Sequence, residues 1–305
     1  IDSDISSVSI MVKLGSIYEP KNFYGLSHFL EHMVFKGTCG ICRTCNRNII
    51  SRKNCLKNSK FISEQFDSVG ADFNAYTDKN LTSYYVKSGS HFLHNSISIL
   101  SDMILNTNFK KNEFHKEKKV VLEELSKAMD DSGPWSAELV DTLTFKKSSL
   151  GQLIGGYPKN VKNLKFADMV LLYENFYLPS NIAISIVSNK NFQQVVKYIE
   201  NSYFIKNKWT ESNFKIPKFF LPKKNIKNQE QINYLHCFKK RKQTYFTISF
   251  KTCDFNNKDQ FILEIIGDLL AGNMSSRFFL NLREKNGLTY SCHTELSHYD
   301  FSGNF

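Results

Sequence analysis

Two histidines four residues apart with a glutamate between them, His28-Phe29-Leu30-Glu31-His32, constrain this 305-residue chain more than any other feature. Around them, apolar residues fall at Leu26, Phe29, Leu30, Met33 and Val34, a spacing that predicts a helix over 25–35 with one buried face. On such a helix His28 and His32 sit one turn apart on a single face and can ligate one metal ion. Glu31, one residue before the second histidine, can stay off the metal and act as general base towards an attacking water. Chance supplies the pattern in about one chain in a hundred of this size and composition. A catalytic zinc also needs a third protein ligand and an open position, so another rigid element has to carry an acidic or imidazole group to this helix.

A helix predicted over 111–129 supplies that group. Its Glu117 and Glu124 are seven residues apart and share a face, whereas Glu123 points elsewhere. Glu124 is the expected third ligand beside His28 and His32, and the expected cofactor is one catalytic Zn2+.

The rest of the chain reads as α+β. Alternation at Val8, Ile10 and Val12 predicts a strand over 8–13, and strand-like runs at 73–77 and 82–87 flank a turn at Asp78-Lys79-Asn80, a hairpin pattern. Helices are predicted over 62–69, 92–105, 168–176 and 192–201, with a buried strand over 182–187. A Lys- and Asn-rich stretch with two prolines suits a linker. The expected domains are therefore 1–204, a linker at 205–230, and 231–305, the last with strands at 245–251 and 290–296 and helices at 260–270 and 275–284. His91 and His94 sit i,i+3 on an amphipathic helix without a ligand pattern, and the other histidines carry none.

Composition excludes several classes. Apolar residues at 41% and charged residues at 23% suit buried cores rather than disorder. The net charge of +11 comes from dispersed lysines and a short run at 239–242. No helix carries a basic stripe, so nucleic acid is not an expected partner. No apolar run reaches the length of a membrane span. The chain begins at Ile1, so a natural start, with any targeting peptide, is expected to lie upstream. Seven cysteines, an odd number with four inside seventeen residues, point to a reducing compartment such as the cytoplasm or mitochondrial matrix.

These residues together resemble the inverted-motif zinc peptidases, the inverzincin family of pitrilysin, insulin-degrading enzyme and the mitochondrial processing peptidase. Gly25 to Met33 followed by Phe35-Lys36-Gly37-Thr38 is similar to the family's metal helix. Phe73-Asn74-Ala75-Tyr76-Thr77 with Thr82 and Tyr84 resembles its strand beside the active site. Tyr177-Leu178-Pro179-Ser180-Asn181 resembles the lead into a late strand, and Ser275 to Arg277 with Leu282 to Ser291 resembles a second-domain signature. The resemblance implies two related domains, each a mixed, mainly antiparallel sheet packed with helices, forming clamshell half-domains, the second truncated. It implies Glu117 as a supporting glutamate, Arg283 and Tyr290 as groups reaching the substrate from the second domain, and substrate backbone added beside Phe73, Asn74 and Ala75. The implied activity is metalloendopeptidase hydrolysis of peptides or unfolded protein segments, by a chain that works alone or in a homo- or hetero-oligomer.

Two readings stay open. The 91 residues between His32 and Glu124 exceed the family's usual spacing by roughly a cysteine-rich insertion at about 39–58. There Cys39, Cys42, Cys45 and Cys55 are either a second, structural zinc site or free thiols. The alternative to a peptidase is a non-catalytic scaffold or binding subunit of the same fold, as in processing-peptidase or respiratory-complex core subunits; those usually lack the intact motif that this chain keeps.

Overall fold

The computed structural model describes residues 3–38, 57–206, 215–224 and 232–305. In chain order its principal elements are β1 (Ile5–Val12), α1 (Leu26–Val34), α2 (Ser59–Asp67), β2 (Asp72–Thr77), β3 (Thr82–Gly89), α3 (Leu93–Leu105), α4 (Lys111–Asp130), α5 (Ser132–Thr144), α6 (Phe166–Phe176), β4 (Ile182–Val187) and α7 (Phe192–Glu200). They are followed by β5 (Lys251–Thr252), α8 (Gln260–Gly267), β6 (Ser297–Tyr299) and β7 (Ser302–Asn304). None of the helices among the described residues is long and apolar enough to cross a membrane.

The alternation that marks β1 in the sequence is used on both flanks. Val8, Ile10 and Val12 are 1%, 0% and 0% exposed, and Ile10 lies opposite Tyr84 of β3 on one side and Ile184 of β4 on the other. All pairings are antiparallel, in the order β2-β3-β1-β4. Both neighbours of β1 are therefore satisfied, and β2 and β4 form the edges. The expected hairpin is present as β2 and β3, closed by the Asp78 amide donating to the Leu81 carbonyl at 2.8 Å. Helix α3 covers β1 and β3 with Leu93, Ile97, Leu100 and Ile104, all buried, at the i, i+4, i+7 spacing of one helical face.

The stretch expected as a loop at 38–60 is pinned at its base. Gly37 and Thr38 pair antiparallel with Asn58 and Lys57, and the Lys57 ammonium reaches the buried Asp102 carboxylate at 2.9 Å. The cysteine cluster, Cys39, Cys42, Cys45 and Cys55, lies outside the described residues.

The chain divides into two compact units that do not follow chain order. The first comprises Ile1–Asp130 and Gln152–Pro222, the second Asp131–Gly151 and Lys223–Phe305. Residues 131–151, expected in the first domain, thus belong with the second. Within that unit the buried Asp141 carboxylate of α5 accepts a hydrogen bond from Asn304 of β7 at 2.6 Å, and Phe145 meets Tyr299 edge-on at 5.8 Å between ring centres. Gly133 and Pro134 disguise α5 in the sequence. They sit in its first turn, where a missing N–H costs nothing because no intrahelical acceptor is available. Part of the expected linker is also structured: Phe220 is 2% exposed and packs against Phe176 at 5.3 Å in the first unit.

The second unit has a three-stranded antiparallel sheet, β5-β7-β6. The strand expected over 245–251 pairs only at its end. Phe250 exchanges both backbone hydrogen bonds with Phe305 at 2.9 Å, and residues 245–249 have no strand beside them among the described residues. Residues 290–296, expected as a strand, are irregular, and pairing starts at Ser297. The helix expected over 260–270 is α8, continued through Asp268–Gly272 in wider turns, and the one expected over 275–284 runs as wide turns through Phe279–Lys285.

Replacement of Ile10, fully buried in the central strand, deletes three methyl or methylene carbons where neither flank can collapse. Ile10→Ala is expected to lower the unfolding free energy of the first unit by about 3 kcal/mol, read from the urea midpoint.

Candidate metal centre

The entry to α1 is built from outside the helix. Gly25 precedes it with φ 87°, a left-handed conformation that favours glycine, and a Cβ there would lie 2.4 Å from the Gly155 carbonyl oxygen. No side chain at the cap position serves the free amides of the first turn. The Glu19 carboxylate does so from six residues upstream, accepting from Gly25 N–H at 2.7 Å and Ser27 N–H at 2.6 Å. Burial pushes the Glu19 carboxyl up to about 8, against these amide donors, which pull it down. Gly155 and Gly156 close the arrangement. A Cβ on Gly156, whose φ is 70°, would lie 2.5 Å from the Tyr24 carbonyl oxygen, and one on Gly155 would lie 2.7 Å from Leu125 Cδ2 of α4. The Gly155 backbone therefore passes between the two helices that carry the candidate ligands.

Helix α1 buries Leu26, Phe29, Leu30, Met33 and Val34 completely and turns His28 and His32 towards α4, leaving them 16% and 20% exposed. Three donors converge. His28 Nε2 lies 3.3 Å from His32 Nε2, His32 Nε2 lies 3.2 Å from Glu124 Oε2, and His28 Nε2 lies 3.7 Å from Glu124 Oε1. Zinc bonds of about 2.0–2.1 Å in a tetrahedron separate neighbouring donors by about 3.3 Å, so two imidazoles and a carboxylate at these spacings fit one ion.

The electrostatics agree. Burial, with His32 next, pushes His28 down to about 4, which leaves a neutral imidazole with a lone pair. Its Nδ1 is buried without a hydrogen-bond partner among the described residues, and Nε2 is the nitrogen that faces His32 and Glu124. Burial also opposes charge on His32, but hydrogen bonds to Glu117 and Glu124 outweigh it and raise His32 to about 9. The site thus favours positive charge between α1 and α4. Burial opposes ionisation of Glu117 as well, yet its contacts with His32 and Lys36 hold it below the usual carboxylate range. The His32 bond holds Glu124 low too.

Glu117 divides its oxygens between two partners. Oε1 meets His32 Nδ1 at 3.0 Å and Oε2 meets Lys36 Nζ at 2.6 Å. Because a carboxylate only accepts, Nδ1 carries a hydrogen towards Glu117 and Nε2 one towards Glu124, in keeping with the raised His32 value; Nε2 becomes a ligand when a metal ion takes the place of its proton. Glu31, 8% exposed, lies on the sheet side of α1, where Thr77 Oγ1 donates to its Oε2 at 2.6 Å. Burial raises the Glu31 carboxyl, in part against this bond.

The structure thus brings together His28, Glu31, His32, Glu117 and Glu124. Phe73, Asn74 and Ala75 lie on β2, an edge strand of the first unit. The Phe73 ring stacks on Phe66 at 4.5 Å, and the outer backbone edge of the strand has no partner strand among the described residues. Arg283 and Tyr290 belong to the second unit and meet each other, the guanidinium lying 5.0 Å from the Tyr290 ring centre and 4.8 Å from that of Phe279. Tyr290 is 79% exposed. Sequence reasoning assigned no role to Glu19, Lys36 or Thr77, although Lys36 and Thr77 lie in segments that carry the family resemblance. Lys36 is four residues beyond His32, a visible helical spacing, but Glu19 leaves no signal because helix caps are sought among adjacent residues.

Comparison with known proteins gives a consistent set of likenesses. Residues 2–156 match the profile described as insulinase, peptidase family M16, and residues 163–305 match the peptidase M16 inactive domain. An uncharacterized zinc protease of Rickettsia bellii is 32% identical over 306 residues, covering 98% of this chain and 66% of the relative. A mitochondrial-processing peptidase subunit beta of Dictyostelium discoideum is 23% identical over 268 residues, covering 88% of this chain and 53% of the relative. Among solved structures, a protease from Helicobacter pylori superposes with a TM-score of 0.81 at 21% identity, over 99% of this chain and 68% of the other. The chain spans about two thirds of the length of the bacterial relatives it matches.

Two outcomes test this arrangement. Lys36→Met removes one partner of Glu117 and is expected to weaken zinc binding about tenfold or more, measured by competition with a chromogenic chelator. For Glu19, the ordinary carboxyl value is 4.5 and the folded value about 8. Between them the fold keeps a proton that the unfolded chain has released, so this stability is fully present below about 4.5 and is lost as pH rises through about 8. The urea midpoint of the parent is expected to fall from pH 5 to pH 8.5, and that of Glu19→Gln to fall less.

Proposed function

Because the chain belongs to the insulinase family, peptidase family M16, we propose that it is a zinc-dependent endopeptidase that hydrolyses peptides or unfolded polypeptide segments. One observation carries the reading: His28, His32 and Glu124 converge at the spacing of a tetrahedral ion, while the carboxylate of Glu31, outside that set, is held on a separate hydrogen bond. A structural zinc site needs no such free carboxylate, and a hydrolytic one does.

In this reading His28, His32 and Glu124 hold the zinc, which when bound supplies the charge that polarises a scissile carbonyl and acidifies water. Glu31 takes the proton from the attacking water at its uncommitted oxygen and returns it to the leaving amine. Glu117 orients His32 by holding the hydrogen on Nδ1, so that Nε2 is the nitrogen that would bind the metal in place of a proton. The free edge of β2 at Phe73, Asn74 and Ala75 receives an extended substrate backbone by strand addition. Arg283 and Tyr290 contribute a guanidinium and a phenol that stabilise negative charge on the substrate. Relatives named as processing-peptidase subunits make association with a second, related chain part of the proposal.

Cleavage of a quenched peptide library by the full chain, with chelator and zinc add-back, tests it. Zinc-restored cleavage is expected, with Glu31→Gln lowering kcat by about a thousandfold at unchanged zinc content. A folded, zinc-loaded parent that cleaves nothing, alone or with a partner subunit, would replace this reading with a non-catalytic scaffold of the same fold.

A further inference from the structure

Thr77 is the last residue of the edge strand β2, paired in register with Thr82 of β3. Its hydroxyl lies 2.6 Å from Glu31 Oε2 and 3.4 Å from Thr82 Oγ1. The Thr82 hydroxyl is itself committed, donating to the Leu14 carbonyl at 2.8 Å. Each hydroxyl has one hydrogen to give and a carbonyl accepts only, so the order of donation is settled: Thr82 gives to Leu14, and Thr77 gives to Glu31. With both hydrogens spent in this way no hydrogen bond joins the two threonines, and the Thr77 hydroxyl by itself anchors a nearly buried carboxylate to the sheet through the strand pairing of Thr77 with Thr82.

We infer that Thr77 is a positioning residue that holds Glu31 off the metal and ties the base to the strand that receives substrate. The inference rests on the peptidase reading above for the role of Glu31. The Thr77 bond engages Oε2 of Glu31 from the sheet side and fixes the plane of the carboxylate. Glu31 is adjacent to His32 in sequence, and Glu124 already supplies a carboxylate to the ligand set. Without a donor on the sheet side, the nearest favourable environment for a second buried carboxylate is the cation itself, and a base drawn onto the metal loses its proton-accepting function. The outer edge of β2 is unpaired among the described residues, so a peptide added there sits on the same strand that aims the base. Occupation of the edge and orientation of the base are thereby linked through one residue.

The test compares Thr77→Val, which keeps shape and removes the donor, with Thr77→Ser, which keeps the donor, in the full chain. The first readout needs no activity: Co2+ replaces zinc and the visible d–d absorption reports coordination number. Thr77→Val is expected to lose d–d intensity as Glu31 joins the metal, and Thr77→Ser is expected to match the parent. The second readout is peptide cleavage, in which Thr77→Val is expected to lower kcat about tenfold to a hundredfold with KM unchanged, and Thr77→Ser to restore it within a few-fold. Identical cobalt spectra for parent and Thr77→Val would overturn the inference whether or not the parent cleaves peptides. Failure of the parent to cleave, with the spectra differing as expected, would instead remove the peptidase reading and leave Thr77 as the residue that sets the ligand count.

Discussion

The close approach of α1 to α4 is the constraint on which the rest of the first unit depends. Two imidazoles and a carboxylate can lie within 3.2–3.7 Å of one another only if the helices carrying them are held close together. The holding force comes from the opposite faces. Phe29 packs on Phe114 at 4.9 Å between ring centres, and Leu30, Met33 and Val121 are excluded from water. At the helix entrance, backbone meets backbone with no room for side chains, at Gly25, Gly155 and Gly156. Apolar burial supplies the stabilisation, and glycine supplies the distance.

Around that contact, hydrogen-bond direction does what distance alone cannot. A carboxylate accepts and never donates, so Glu117 fixes a hydrogen on His32 Nδ1 and leaves Nε2 to the ligand set, and Lys36 on its other oxygen keeps it a carboxylate. On the sheet side, Thr77 commits one oxygen of Glu31. Three glutamates within a small volume therefore have three environments: one between the imidazoles, one behind an imidazole beside a lysine, and one against a threonine. A fourth, Glu19, serves only the helix entrance. Identical side chains are separated in function by their neighbours rather than by their own chemistry.

The second unit shows the same dependence on context at the level of strands and helices. Its α5 is contributed by residues 132–144, ahead of the last strand of the first unit, and a buried carboxylate at Asp141 anchors it to β7. Alternating hydrophobicity at 245–249 goes unused because a strand exists only where a neighbour accepts its hydrogen bonds. At Phe250, where Phe305 is that neighbour, pairing begins at once.

Local sequence determined much of the candidate site. Helical periodicity over 25–35 and 111–129 placed His28, His32, Glu117 and Glu124 on usable faces, because a face follows from a 3.6-residue repeat and needs no knowledge of the rest of the chain. The hairpin of β2 and β3 was legible for the same reason. Tertiary structure alone decided which of those faces meet, and so that Glu124 and Glu117 stand on opposite sides of one imidazole. It also decided that Glu19 caps a helix six residues away, that Thr77 reaches Glu31 across 46 positions, and that residues 131–151 leave the unit they interrupt. None of these has a local signature, because a hydrogen bond or a buried carboxylate is defined by what surrounds it in space, and the folded chain brings those neighbours from far along the sequence.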